Sequence, residues 1–159
     1  MATTTSIQSG HWRITLLWIL LTAVIWGTFS APILLNQVEF PFWLTHSVFI
    51  LVFMGCIRYL FFLRHSWLVR QQYLKVAIVF LAIWGVFYLV DSLHDFQVFT
   101  DEDGLETFLG HLPNADYTSL RNFIKSEMIF FGTGSIIALA ILAIRMIISV
   151  WRWHNLKKA

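Results

Sequence analysis

The chain has 159 residues, of which 58% are hydrophobic and 13% charged, and its formal net charge is +2. Soluble domains are about 45–50% apolar and about 25% charged, so this composition excludes an ordinary water-soluble globule and does not suit a disordered or nucleic-acid-binding segment. We therefore expect an integral membrane protein that binds no nucleic acid. The single cysteine, Cys56, excludes an intramolecular disulfide and a multi-cysteine metal site.

Four apolar segments follow one another along the chain. A bilayer core about 30 Å thick needs roughly 20 helical residues, and lipid forces a spanning backbone into helices. The first segment is longer than the apolar core of a signal peptide, so we interpret it as a retained span. The sequence predicts an all-α integral membrane four-helix bundle in a single domain, with spans at about 14–35, 42–63, 74–93 and 120–150.

The connection between the third and fourth spans, at 94–116, is the one long loop of the chain. Apolar residues recur in it at helical spacing: Leu105, Phe108, Leu109 and Leu112. Asp103 and Glu106 are spaced like a capping box at the start of this pattern. The pattern predicts a short amphipathic helix at the membrane surface. An extended loop with chance periodicity is the alternative.

The charges separate along the chain. The nine acidic residues lie at Glu39, from Asp91 to Asp116, and at Glu127. Because each span crosses the membrane, successive connections lie on alternate sides of it. Nine of the eleven basic residues then lie on the side opposite the acidic loop: Arg13, Arg58, Arg64, Arg70, Lys75, Arg145, Arg152, Lys157 and Lys158. Cytoplasmic loops carry an excess of Lys and Arg, so both termini are predicted to be cytoplasmic, with the acidic loop outside. The expected location is a bacterial inner (plasma) membrane, although an organelle membrane would give the same pattern.

Small residues mark candidate packing surfaces on two of the spans. Ala23, Gly27 and Ala31 recur every four residues in the first span, and Gly134 and Ala138 do so in the fourth. Small residues allow helix backbones to approach closely in lipid, so a close contact between these two helices is predicted. The contact could lie within one chain or between copies, and our first interpretation is an internal one.

Four residues are candidates for a metal site. Asp91, His94 and Asp95 share one helical face at the predicted outer boundary, and His46 lies about one turn below that boundary on the second span. Imidazole and carboxylate groups are suitable ligands for zinc or another divalent ion. The same residues could respond to pH, because histidine titrates near neutrality. The third interpretation is that these acids and histidines are ordinary surface residues that face water at the end of a helix.

Two further ionisable residues lie at membrane depth, where such residues are costly. Glu127 is explained either by a local ion pair with Lys125 or Arg121, or by a role in carrying protons. Arg58 is close enough to the cytoplasmic end of the second span for its guanidinium to reach the interface.

The same histidines are candidates for binding a cofactor. A haem held by two histidines would need His94 as the second ligand beside His46. A quinone pocket would be lined by aromatic residues such as Trp84 and Phe87. No cofactor is predicted, and a divalent metal or haem are the alternatives. The sequence has no HExxH, GxSxG, P-loop or GxGxxG motif, so we expect a non-enzyme.

The first functional hypothesis is an accessory or structural subunit of a larger membrane assembly, or a homo-oligomer. It rests on tight hairpins and on the apolar cores at 76–90 and 128–144, which are short for a span and suit a protein-crowded or thinned bilayer. The alternative is a sensory or regulatory module, with the His and Asp group as input and the last helix, through Trp151 to Lys158, as output. A haem- or quinone-binding subunit is the third hypothesis.

Overall fold

The computed structural model describes residues 3–36, 38–62, 72–102, 104–110 and 113–156. The helices in chain order are α1 (Thr3–Leu35), α2 (Trp43–Phe62), α3 (Gln72–Glu102), α4 (Glu106–Leu109) and α5 (Asn114–Leu156). The described ranges contain no β-strand. Four helices are long and apolar enough to cross a membrane, over Arg13–Leu35, Trp43–Phe61, Tyr73–Asp101 and Asp116–Asn155. For the described residues, the prediction of an all-α fold with four helices long and apolar enough to span a membrane is therefore confirmed, and these helices fit a multi-pass helical bundle.

Three helices are longer than the predicted spans, because the polar segments that flank their apolar cores are also helical. α1 begins at Thr3, whereas the predicted span began at 14. α3 continues to Glu102, and α5 runs without interruption from Asn114 to Leu156. At about 1.5 Å per residue, α5 is about 64 Å long, roughly twice the thickness of a bilayer core. The predicted second span ended at Leu63, which lies outside the described residues.

Exposed large apolar side chains mark the lipid-facing part of the surface. They run from Tyr73 to Val90 on α3 and from Phe130 to Trp153 on α5. The corresponding helix lengths, about 26 Å and about 35 Å, match the thickness of a bilayer core. Between Val90 and Phe130, no described side chain is both large, apolar and exposed. One end of the molecule thus lies beyond the lipid-facing surface.

We call this end the acidic cap and define it as residues 38–42, 91–102, 104–110 and 113–126. Its interior is made of side chains that are almost completely buried: Phe40, Phe96, Leu105, Leu109, Leu120 and Ile124. Gly104 has φ +68, a conformation that glycine adopts without strain, and it turns the chain from α3 into α4. The apolar interior of the cap and the core of the spanning helices therefore form one continuous cluster.

The short helix predicted within 105–112 corresponds to α4, which is a single turn. Leu105 and Leu109 are fully buried in the core of the acidic cap. The residue at the start of this helix is Leu105, whose apolar side chain provides no capping hydrogen bond. Asp103 and Leu112, which belonged to the predicted helix pattern, lie outside the described residues, as does the side chain of Phe108.

α5 is the central helix of the molecule. It packs along both α2 and α3, whereas α1 packs mainly against α2. The contact between α1 and α5 includes the ring of Phe29, which stacks on Phe123 at 6.1 Å and meets Phe131 edge to face at 4.9 Å. Two indole groups bind α1 to α2: Trp18 Nε1 donates to the carbonyl of Met54 at 3.1 Å, and Trp26 Nε1 donates to Ser47 Oγ at 3.0 Å.

The small residues of α5 pack against α2 and α3. A Cβ atom added to Gly134 would lie 2.9 Å from Phe53 Cε2 of α2. One added to Gly132 would lie 2.8 Å from Leu93 Cδ1 of α3. Ala138 is buried in a separate apolar cluster nearer the other end of the helices. The small residues of α5 thus allow it to approach α2 and α3 closely, rather than α1.

The small residues of α1 have different surroundings. A Cβ atom added to Gly27 would meet nothing within 4 Å among the described atoms. Ala23 is exposed, and Ala31 is half-buried. In this structure, α1 and α5 are therefore not joined by close packing of their small residues.

Candidate functional site

The most unusual feature of the interior is a hydrogen bond between two titratable side chains, His46 of α2 and Glu127 of α5. His46 Nε2 lies against Glu127 Oε1, and the two side chains are only 2% and 1% exposed. The bond joins helices that are distant in the chain. A buried pair of this kind needs good geometry to offset the loss of water around both groups.

The helical pattern explains why both side chains are directed inward. The buried face of α5 includes Leu120, Ile124, Met128 and Phe131. Glu127 lies within this face, at the same spacing as its apolar members. His46 likewise shares a face of α2 with Phe49, Ile50 and Met54, which are all buried. Each of the two titratable residues thus lies on a buried helix face whose other members are apolar.

Aromatic rings surround the imidazole. The ring of Trp43 stacks on His46 at 5.7 Å between centroids, and Phe40 meets it edge to face at 6.4 Å. Trp43 in turn meets Trp26 of α1 at 5.9 Å. The pair therefore lies in an apolar setting, directly beneath the acidic cap and close to the end of the lipid-facing surface.

Each member of the pair retains an atom without a hydrogen-bond partner in the described part of the chain. These atoms are His46 Nδ1 and Glu127 Oε2, and Ser30 Oγ of α1 is buried without a partner as well. Ser30 follows Phe29, whose ring contacts α5 on both sides of Glu127 in the sequence, at Phe123 and Phe131. Three helices thus bring unpaired polar atoms to one level of the bundle.

The hydroxyl group of Tyr117 on α5 is buried at this end of the molecule without a hydrogen-bond partner among the described residues. Apart from the pair, no charged or histidine side chain among the described residues is buried there. Those around it are exposed, on α3, α4, α5 and the α1–α2 connection: Glu39, Asp91, His94, Asp95, Asp101, Glu106, Asp116, Arg121 and Lys125. On α1, the only charged residue with a described side chain is Arg13, near the opposite end of the spanning helix. The charge on the pair therefore has no buried counterion besides the partner itself.

The structure gives Glu127 a partner that the sequence did not suggest. Lys125 is instead 3.7 Å from Asp101 Oδ1, in an ion pair on the surface of the acidic cap. Both of these side chains are substantially exposed, so the ion pair contributes little to stability. The signal that was available for Glu127 was its place in the apolar stripe of α5 rather than its basic neighbours.

The candidate metal residues occupy two different environments. His46 is buried against Glu127, whereas Asp91, His94 and Asp95 are exposed on α3. Among the described residues there is no group of three or more His, Cys, Asp or Glu side chains that could hold a metal ion. The metal-site hypothesis stays a prediction.

The aromatic residues named for a quinone pocket lie on the lipid-facing surface of α3. Trp84 is 68% exposed and Phe87 is 72% exposed. Trp84 stacks on Tyr88 at 5.8 Å along the same helix. His94, the second ligand needed for a haem, is exposed. The cofactor hypotheses also stay predictions.

Comparison with known proteins gave no match of any kind: no family model matches the chain, and no curated protein or solved structure is significantly similar to it.

Removing one partner of the pair should destabilise the protein more than removing both. We expect Glu127→Met or His46→Leu alone to cost about 3 kcal/mol of unfolding free energy, because the remaining polar group stays buried without a partner. The double variant should recover most of this loss. Unfolding of the four proteins in one detergent measures the coupling, with Lys125→Gln as a surface control. Strictly additive losses would contradict the pairing.

Proposed function

We propose that this protein is a sensory or regulatory membrane module that responds to protonation of the His46–Glu127 pair. The observation that supports the proposal is the buried bond between α2 and α5, in which each side chain keeps one unpaired polar atom. The pair lies directly under the acidic cap, so the proposed input is the proton concentration of the water on that side. The sensory hypothesis thus moves its input from Asp91, His94 and Asp95 to this buried pair.

Charge balance gives the proposed mechanism. When the two side chains share one proton, the pair has no net charge, either as an ion pair or as two neutral groups. A second proton leaves a net positive charge, and loss of the shared proton leaves a net negative one. Either charge would be isolated among apolar groups, at a cost of several kcal/mol. Both changes therefore favour separation of α2 from α5 at this level, or entry of water.

α5 supplies the route from this site to the other end of the molecule. It is one continuous helix that includes Glu127 and extends to Leu156. At its far end Arg145 donates a hydrogen bond to the carbonyl of Leu60 on α2, and Ser149 accepts one from Lys75 on α3. A tilt or rotation of α5 that begins at Glu127 would strain these contacts as well. The proposed output is a change in the position of this end of α5.

The proposed response can be measured with spin labels at two exposed positions of the acidic cap. In a Cys56→Ser background, Glu39→Cys reports on the segment before α2, and Asn122→Cys reports on α5. We expect the distance distribution between the labels to be narrow at an intermediate pH and to broaden toward longer distances at both acidic and alkaline pH. The control carries His46→Gln and Glu127→Gln. An identical response in this control, or no response in the parent, would reject the proposal.

We further propose that the acidic cap is extracytoplasmic, that both termini are cytoplasmic, and that the protein resides in a bacterial inner (plasma) membrane. The supporting observation is the distribution of charge. The basic residues with described side chains outside the cap all belong to the opposite half of the molecule: Arg13, Arg58, Lys75, Arg145 and Arg152. An excess of Lys and Arg is typical of the cytoplasmic side.

Cysteine labelling in intact cells tests this orientation. In the Cys56→Ser background, a membrane-impermeant maleimide should label Asp95→Cys, which lies on the exposed surface of the cap. The same reagent should label Arg152→Cys only after the membrane is permeabilised. Permeabilised cells serve as the control for reactivity of both sites. The reverse labelling pattern would show that the cap is cytoplasmic.

A second candidate function, the accessory subunit or homo-oligomer, is favoured by the surroundings of α1. In its spanning window only 6% of residues are buried. Gly27 has open space around it, and Ala23 and Thr28 are exposed. A stripe of small residues that does not pack internally is suited to close contact with a helix of another chain.

Matched glycine substitutions test this second candidate. Gly27→Leu should leave the isolated chain as stable as the parent but reduce its recovery in a larger assembly after mild-detergent extraction. Gly134→Leu should instead destabilise the chain itself by about 1–3 kcal/mol, because it overpacks the contact with Phe53. Sizing and mass spectrometry of the co-purifying chains give the readout. Recovery of the parent as a single chain without partners would exclude the accessory role.

A further inference from the structure

The end of the molecule opposite the acidic cap carries cations that are held in place by neutral groups. Arg58 Nη2 of α2 donates to Thr15 Oγ1 of α1 at 2.8 Å. The guanidinium of Arg58 also lies 5.8 Å from the centroid of the Tyr59 ring. These contacts hold the guanidinium in the groove between α1 and α2 and add no negative charge.

Two more cations lie on either side of α5 at a similar level. Arg145 Nη1 donates to the carbonyl of Leu60, on α2. Lys75 Nζ of α3 is buried and donates to Ser149 Oγ at 3.0 Å. Arg145 and Ser149 are one helical turn apart, about 6 Å along the axis. We call Arg58, Lys75 and Arg145 the basic collar.

The chain provides no acidic side chain to balance the basic collar. No Asp or Glu occurs in the sequence between Glu39 and Asp91 or after Glu127. The parts of α1, α2, α3 and α5 that form this end are therefore free of carboxylate side chains. Three cations at one level of the bundle repel one another, and an anion from outside the chain would relieve that repulsion.

The position of the collar indicates which anion is available. On α2, Arg58 lies just before Phe61, the last described side chain of that helix that is large, apolar and markedly exposed. On α5, Arg145 lies between Ile144 and Ile147, which are both exposed. On α2 and α3 the collar is thus at the edge of the lipid-facing surface, where the phosphate groups of lipids lie in a bilayer. On α5, Arg145 lies inside that surface, and its side chain meets this edge at the carbonyl of Leu60.

We propose that the basic collar binds the phosphate groups of anionic phospholipids. An arginine side chain has five N–H donors in a planar fork, and each arginine of the collar is shown donating one of its hydrogen bonds to a neutral acceptor. The remaining donors suit the paired oxygens of a phosphate. Because existing contacts already hold both guanidinium groups, less side-chain entropy is lost on binding. Lys75 adds to the positive potential from within the bundle.

Lipid retention by the purified full chain tests this proposal. The protein is exchanged into detergent with equal amounts of phosphatidylglycerol and phosphatidylcholine of the same acyl chains, and bound lipids are counted by native mass spectrometry. We expect a clear preference for phosphatidylglycerol. Loss of each arginine should lower this preference by about fivefold, so that Arg58→Gln with Arg145→Gln lowers it by about 25-fold. The matched control, Arg121→Gln with Lys125→Gln in the acidic cap, should keep the preference.

Folding and the source of the phosphate are checked separately. If the glutamine variants do not fold, Arg58→Lys with Arg145→Lys retains the charge and removes the planar fork, and a partial loss of preference is expected.

Millimolar inorganic phosphate should not raise the thermal unfolding midpoint of the protein in phosphatidylcholine alone. Stabilisation by free phosphate would assign the collar to a soluble anion. Equal retention of the two lipids by the parent, or an unchanged preference in the arginine variants, would overturn the proposal.

Discussion

The hydrogen bond between His46 and Glu127 is the interaction on which the arrangement at the acidic end depends. It places two polar groups in the apolar faces of α2 and α5, where each is almost completely buried. In this structure each group has the other as its hydrogen-bond partner, so a change in the rotation or register of either helix would break the bond. The surrounding rings of Trp43 and Phe40 shield the bond from water and raise the cost of breaking it.

The acidic cap gives this bond its setting. Because α3 and α5 extend beyond the lipid-facing surface, they can bury Phe96, Leu105 and Ile124 together and close the bundle above the pair. Without such a cap, two titratable groups near the end of a span would be in contact with water and would behave as ordinary surface residues. In the proposed mechanism, burial is the reason why a change in the charge of the pair would change the packing of the helices.

The two ends of the molecule handle charge in opposite ways. At the acidic end, a buried histidine and a buried carboxylate balance each other within the chain. At the other end, the cations of the basic collar are held by hydroxyl and carbonyl groups, and the sequence has no carboxylate side chain nearby. The first arrangement balances its charge within the chain, whereas the lipid binding that we propose for the second would take its anion from outside the chain. α5 belongs to both ends and connects them through a single helix.

The sequence by itself determined that the chain forms four membrane-length helices and that acidic and basic residues segregate, because hydrophobic length and charge are local properties. It also held a signal for Glu127, whose position in the stripe with Ile124 and Phe131 marks it as inward-facing. Only the tertiary structure decided that its partner is His46 and that Asp91 and His94 face outward. Pairing depends on the rotation and register of helices that are far apart in sequence, and the pattern of one helix contains no information about the helix that packs against it.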